Sequence, residues 1–161
     1  MGSTSSGNAA VWRLGGAIAL SKPEFLGFAR DWTGEAVRYA SADSFVRAQR
    51  AEALMLNGDT TAAIELWESL WNNERQPRTL AALILCQAIE SPTTHAPEDG
   101  TDEAAVSRAF IAWYQRLITM RSKTVISRLN EQMDKLSRAL PTAARRIGKA
   151  LSEAQQPKAT V

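Results

Sequence analysis

The sequence predicts an all-α fold, in which antiparallel helical hairpins form a short solenoid closed by a long C-terminal helix. Three observations carry this. Apolar residues recur at steps of three and four through successive segments, which keeps them on one face of a 3.6-residue helix. The stretch Ser44–Asn73 holds two such segments joined by Asn57-Gly58-Asp59, a tight turn. Ile126, Leu129, Met133, Leu136, Leu140, Ala143 and Ile147 then alternate steps of three and four, a heptad seam. About six or seven helices are expected. Residues 1–8 are expected to be disordered, 9–120 to form the repeat domain with a loop at 91–101, 121–155 to be a basic amphipathic segment, and 156–161 a disordered tail.

The central hairpin explains itself residue by residue. Ala48, Ala51, Leu54 and Met55 share a face of its first helix, with Arg47, Gln49 and Arg50 elsewhere. Gly58 takes the left-handed cap conformation at little cost and stops that helix. Asp59 is the expected cap of the second helix, whose apolar face is Ala62, Ala63, Leu66, Trp67 and Leu70. So short a link makes the two helices antiparallel, with those faces buried together.

Ala51 and Leu54, then Gly58-Asp59, then Ala63 and Trp67 resemble the tetratricopeptide repeat, a helix–turn–helix unit of about 34 residues. Arg50 stands where that family favours Leu, Leu70 where it favours a second Ala, and the terminal proline comes late, at Pro77. One period earlier, Val46, Ala51 and Leu54 correspond to Trp12, Ala17 and Leu20; one period later, to Leu80, Leu85 and Ala88. The resemblance implies three stacked units, each burying a face that it cannot bury alone.

Taken in order, the first helix is expected from about Asn8 to Leu20. Ser21-Lys22-Pro23-Glu24 starts the second, with Pro just inside it; Gly27 and Gly34 within that helix suggest close helix approach. Asp43 or Ser44 caps the third. Gln76-Pro77 precedes a helix over Arg78–Glu90 that is apolar almost all round, which places it at the centre of the fold. Ser91–Thr101, with two Pro and one Gly, reads as a loop. Thr101 or Asp102 caps the next helix, which carries Phe110, Trp113, Tyr114 and Leu117 to at least Met120. Over 121–155, the heptad seam is either a capping helix over the last repeat or an intermolecular coiled coil. Pro141 within it favours the cap, because it kinks or restarts a helix.

The composition narrows the function. The 161 residues are 45% hydrophobic and 22% charged, with five Trp, as a folded globular chain requires. A net charge of +2 is too small to imply a polyanion partner by itself. The single Cys forms no internal disulfide and suits a reducing, cytoplasmic setting. No stretch approaches the roughly 20 apolar residues of a membrane span, and the short run Leu14–Leu20 reads as helix core rather than a signal. Cys86 sits in an apolar helix and His95 in the Pro-rich loop, so neither nucleophilic catalysis nor a metal site is indicated. No phosphate-cradling glycine motif occurs. The expectation is a non-enzymatic protein without cofactor.

The resemblance implies docking: the first helices of the units form a surface that holds a partner peptide or helix. Position alone nominates Arg13, Arg47, Gln49, Arg50 and Glu52 for it. A second hint is the charge over 121–149, where Arg121, Lys123, Arg128, Lys135, Arg138, Arg145, Arg146 and Lys149 stand against Glu131 and Asp134, a local +6. The stretch 90–103 holds five acidic residues, a local −5. The expected function is therefore a protein-interaction module, acting as adaptor, chaperone or assembly subunit, with self-association through the heptad seam. The alternative is binding of an acidic protein surface, nucleic acid or an anionic membrane surface by the basic C-terminal segment.

Overall fold

A computed structural model of the chain describes residues 2–90 and 101–155. The expected loop at 91–101, except for Thr101, and the expected tail at 156–161 lie outside the described residues. Among the described residues there are nine α-helices and no strand: α1 (Gly2–Ala19), α2 (Leu26–Tyr39), α3 (Ser44–Leu56), α4 (Thr60–Asn73), α5 (Pro77–Glu90), α6 (Glu103–Thr119), α7 (Lys123–Asn130), α8 (Met133–Ala139) and α9 (Pro141–Gln155). A 3-10 turn, Pro23–Phe25, leads into α2.

Local chemistry sets most boundaries where expected. Asp43 caps α3, its Oδ1 accepting from the Val46 amide at 3.0 Å, and Asp102 caps α6 through the Ala105 amide at 3.1 Å. At the α3–α4 turn the Asp59 amide donates to the Leu54 carbonyl at 2.8 Å and the Gly58 amide to Met55 at 3.1 Å. This paired closure needs a left-handed residue between, and Gly58 has φ 90°. Asp59 does not cap α4 as expected; its carboxylate lies 2.9 Å from Arg30 of α2 instead. α1 begins at Gly2, ahead of the expected start and within the segment expected to be disordered, since extending an existing helix costs far less than nucleating one.

Each helix from α1 to α6 packs on the next in chain order. α5 is the centre: every residue from Thr79 to Ala88 is buried, and α4, α6 and α7 pack around it. Glycines let α1 approach its neighbours. A Cβ on Gly15 would stand 2.1 Å from the Trp32 ring of α2, and one on Gly16 2.4 Å from Gln49 Oε1 of α3. In α2, Gly34 sits against Arg50, while nothing approaches the Cβ position of Gly27, so close packing there holds at one of the two expected glycines.

The long C-terminal helix expected over 121–155 is three separate helices, two of them short. α6 ends at a turn like that after α3, with the Ser122 amide donating to the Leu117 carbonyl at 2.9 Å and Arg121 at φ 57° in the left-handed position. Pro141 opens α9, and Leu140 before it is forced out of the helical region, at φ −138° and ψ 75°. Leu129, Leu136, Leu140, Ala143 and Ile147 of the heptad seam are buried in the same core as α3 to α6. The seam is spent within the chain, so 121–155 covers the core instead of offering a continuous coiled-coil stripe.

Two outcomes follow. Gly15→Ala is expected to lower stability by about 1 to 3 kcal/mol, as overpacking does, because the Trp32 ring must move; chemical denaturation of both chains measures it. Arg121→Gly is expected to raise stability by roughly 0.5 to 1 kcal/mol, as it removes a left-handed non-glycine residue; the thermal midpoint checks the direction.

Candidate functional site

A helix turns by about 100° per residue, so residues nominated by position on α3 need not share a face. Gln49 and Glu52 do. Both are buried at the wall of a cleft of about 420 Å³, lined also by Phe45 and Ala48 of α3, Ala17 of α1, Trp67 of α4 and Arg116 of α6. Arg47 points to α4, donating to Ser69 Oγ at 2.6 Å. Arg50 points to α2, donating to the Arg30 carbonyl at 2.6 Å, and burial chiefly draws its pKa down. Arg13 is half exposed at the N-terminus of α3, where it holds the Asp43 carboxylate and lies 5.6 Å from the Phe45 ring centre. The five nominated residues therefore do not form one surface: two enter the cleft, one stands at its edge, and Arg47 and Arg50 bind neighbouring helices.

The floor of the cleft is an ionic cluster that local sequence pattern does not identify. Arg116 Nε donates to Glu52 Oε1 at 3.0 Å, and its terminal nitrogen donates to the Leu20 carbonyl at the end of α1. Arg78 reaches the same Glu52 oxygen at 4.0 Å, while its guanidinium covers the Trp113 ring at 4.4 Å. Trp113 Nε1 donates to the Arg78 carbonyl at 2.9 Å, fixing the start of α5 to α6. The Trp67 ring meets Trp113 edge-on at 5.6 Å. Gln49 Nε2 donates to the Arg13 carbonyl at 2.9 Å, but Gln49 Oε1 and Trp67 Nε1 are buried with no hydrogen-bond partner among the described residues. The one sequence signal for Arg116 is its position beside Trp113 and Leu117, a cation on the flank of an aromatic face; its partner is 64 residues away.

The basic residues divide as well. Arg128 pairs with Glu90, and Lys135 lies 3.4 Å from the Ala88 carbonyl, so these two fasten α7 and α8 to the end of α5. Arg121, Lys123, Arg138, Arg145, Arg146 and Lys149 are exposed. Of these, Arg145, Arg146 and Lys149 share one side of α9 by helical spacing. Cys86 is fully buried and its thiol pKa is pushed up by burial, while His95 lies outside the described residues. Among the described residues no group of His, Cys, Asp and Glu is arranged to hold a metal ion, and no helix is long and apolar enough to cross a membrane.

The fold and cleft define an all-helical protein whose successive helices pack on one another in chain order. No protein-family model, no curated protein and no solved structure matches this chain.

Two carboxyls near these sites make stability pH-dependent. Asp43 is held below the ordinary carboxylate range, chiefly by the Arg13 hydrogen bonds, and Glu90 chiefly by the Thr60 hydroxyl, with Arg128 adding to it. A depressed native pKa adds stability above the unfolded value of about 4 and loses it as pH falls through the native value. The urea midpoint is expected to fall most steeply below about pH 4. Asp43→Asn, which can still cap α3, is expected to lower the midpoint at neutral pH and to converge on the parent chain in acid.

Proposed function

We propose that this chain is a non-enzymatic docking module that holds a peptide or helix of a partner protein in the cleft between α1, α3 and α6. The observation that supports it most directly is the cleft's own wall. Phe45, Ala48 and Ala17 supply apolar contact, and the Phe45 ring is 57% exposed, free for a partner to cover. The Arg78–Glu52–Arg116 cluster adds charge selectivity at the floor. The stacking of α1 to α6 in sequence suits the tetratricopeptide-like arrangement that the residues around Gly58 resemble, with α6 crossing back to close one end. A cytoplasmic adaptor, chaperone or assembly subunit is the kind of protein such a module serves.

The second reading is a binder of nucleic acid or an anionic membrane surface through α9, favoured by the shared exposed side of Arg145, Arg146 and Lys149. Salt separates the two, since phosphate-driven binding weakens steeply between about 50 and 200 mM salt and groove docking changes little.

The test is selection of peptides from a random displayed library against the whole chain. Ala48→Phe, which fills the cleft, and Phe45→Ala, which removes an exposed wall, are each expected to weaken the selected peptides by about tenfold or more. The double reversal Arg145→Glu, Arg146→Glu is expected to leave them unchanged. Binders that survive both cleft variants and lose affinity on charge reversal or added salt would replace this reading with the second.

A further inference from the structure

We propose, on the basis of the docking above, that the docked segment carries an internal acidic residue. Its side-chain carboxylate lies between Arg78 and Arg116, and an apolar side chain flanking it fills a second depression on α6.

The cleft does not end at its ionic floor. A depression of about 320 Å³ opens beyond Arg78 and Arg116, which line both spaces, and its other walls are Ala109, Ala112 and Trp113 of α6. At the opposite end the cleft runs into a smaller depression past Phe45 and Thr79, where Glu74 stands. Together they form one path across the start of α5, apolar where it reaches α6.

Charge along this path is unequal. Among the described residues lining the cleft and the α6 depression, two guanidiniums, Arg78 and Arg116, stand against one carboxylate, Glu52, a net +1. Arg116 is committed, with Nε on Glu52 and a terminal nitrogen on the Leu20 carbonyl. Arg78 is held far less. It stands 4.0 Å from Glu52, beyond hydrogen-bond length, and its side chain is 66% exposed. An exposed pair at that distance is weak. Its guanidinium lies over the Trp113 ring, and an arginine resting on a ring keeps its N–H edge for an acceptor in its own plane. A carboxylate accepts two such donors side by side. The first turn of α5 holds no acidic residue, so the positive end of that helix adds to the same sign.

The path beyond the arginines selects the kind of carboxylate. A chain end seated on Arg78 leaves the α6 depression empty. An internal Asp or Glu carries the chain onward, and an apolar neighbour then leaves water against Ala109, Ala112 and Trp113. Glu74 at the far end repels a second acidic residue, which gives the segment one register.

The experiment takes peptides selected from a random displayed library on the full chain and keeps those that Ala48→Phe weakens. Each is synthesised with an amidated C-terminus, once as selected and once with its acidic residue changed to the corresponding amide. The selected set is expected to share an Asp or Glu at one aligned position, beside a large apolar residue. On the parent chain the amide form is expected to bind about tenfold more weakly; Arg78→Gln is expected to weaken the acidic form by about as much and the amide form by less than about twofold. Arg78 is exposed, so that variant is expected to keep the parent helicity, checked by circular dichroism. In Arg78→Glu the preference is expected to reverse, with Lys at the aligned position binding better than the acid. Three results overturn the proposal: cleft-dependent peptides with no shared acidic residue, equal loss of both forms on Arg78→Gln, or loss of binding on amidation, which puts a chain end at the arginines. Each of these leaves the docking standing. A library that yields no peptide sensitive to Ala48→Phe removes the docking, and the acidic residue with it.

Discussion

The constraint on which this fold depends is α5, a helix with no side that can face water. Ten consecutive residues, Thr79 to Ala88, are buried. A 3.6-residue helix distributes ten residues around its whole circumference, so covering one stripe is not enough. α4 covers one flank and α6 another. α7 closes a third, tied down by Arg128 on Glu90. The position of α6 then has consequences far from α5. Because α6 wraps the central helix, its Arg116 arrives at the ends of α1 and α3, and Ser122 Oγ donates to the Leu56 carbonyl at 2.9 Å. An open stack of hairpins would leave that end free; enclosing α5 turns it back on itself and makes the cleft.

The charges on that turn are arranged to make its burial tolerable. Glu52 is buried beside two guanidiniums, and one of them also occupies an unpaired carbonyl at the end of α1. Removing one partner of such a buried set leaves an uncompensated charge, which costs far more than the set itself contributes. The cluster therefore fixes where α6 crosses more than it adds to stability. It also means that the residues closest to the cleft floor are positioned by chain segments from α1, α3, α5 and α6 at once.

That division explains what is legible in the sequence. Features encoded within one turn of helix can be read: Asp43 and Asp102 as caps, Gly58 as the stop, Pro77 before a helix buried all round, and the apolar faces of α3 and α4. Pro141 announces a restart, although the break between Asn130 and Met133 carries no proline or glycine and no local signal. The heptad seam marks apolar residues that are mostly buried, but periodicity does not say which partner buries them, and here it is the chain's own core. Side chains that meet across the fold stay hidden. Asp59 looks like a cap and is held by Arg30 instead. Gly15 and Gly16 look like idle helix residues, and only the position of Trp32 and Gln49 shows why a methyl group would not fit. The nominated docking residues fail as a set for a simple angular reason, since Gln49 and Glu52 lie about 60° apart around α3 while Arg47 lies on the far side.

α1 carries the consequences of the proposed docking. Its inner side holds the fold through two glycines, and Ala17 and Leu20 at its C-terminal end line the cleft. Its outer side carries Val11, Leu14 and Ile18, which are exposed. It is anchored by a carbonyl bonded to Gln49, the Trp32 ring seated on Gly15 with its Nε1 donating to the Trp12 carbonyl, the Trp12 ring against Trp32 and Tyr39, an ion pair at Asp43, and Arg116 at its end. A helix so attached gains stability from any partner that binds only the docked form, in proportion to the logarithm of partner concentration over its dissociation constant. A segment bound in the cleft touches Ala17 and Leu20, so its binding would hold the C-terminal end of α1 against α3.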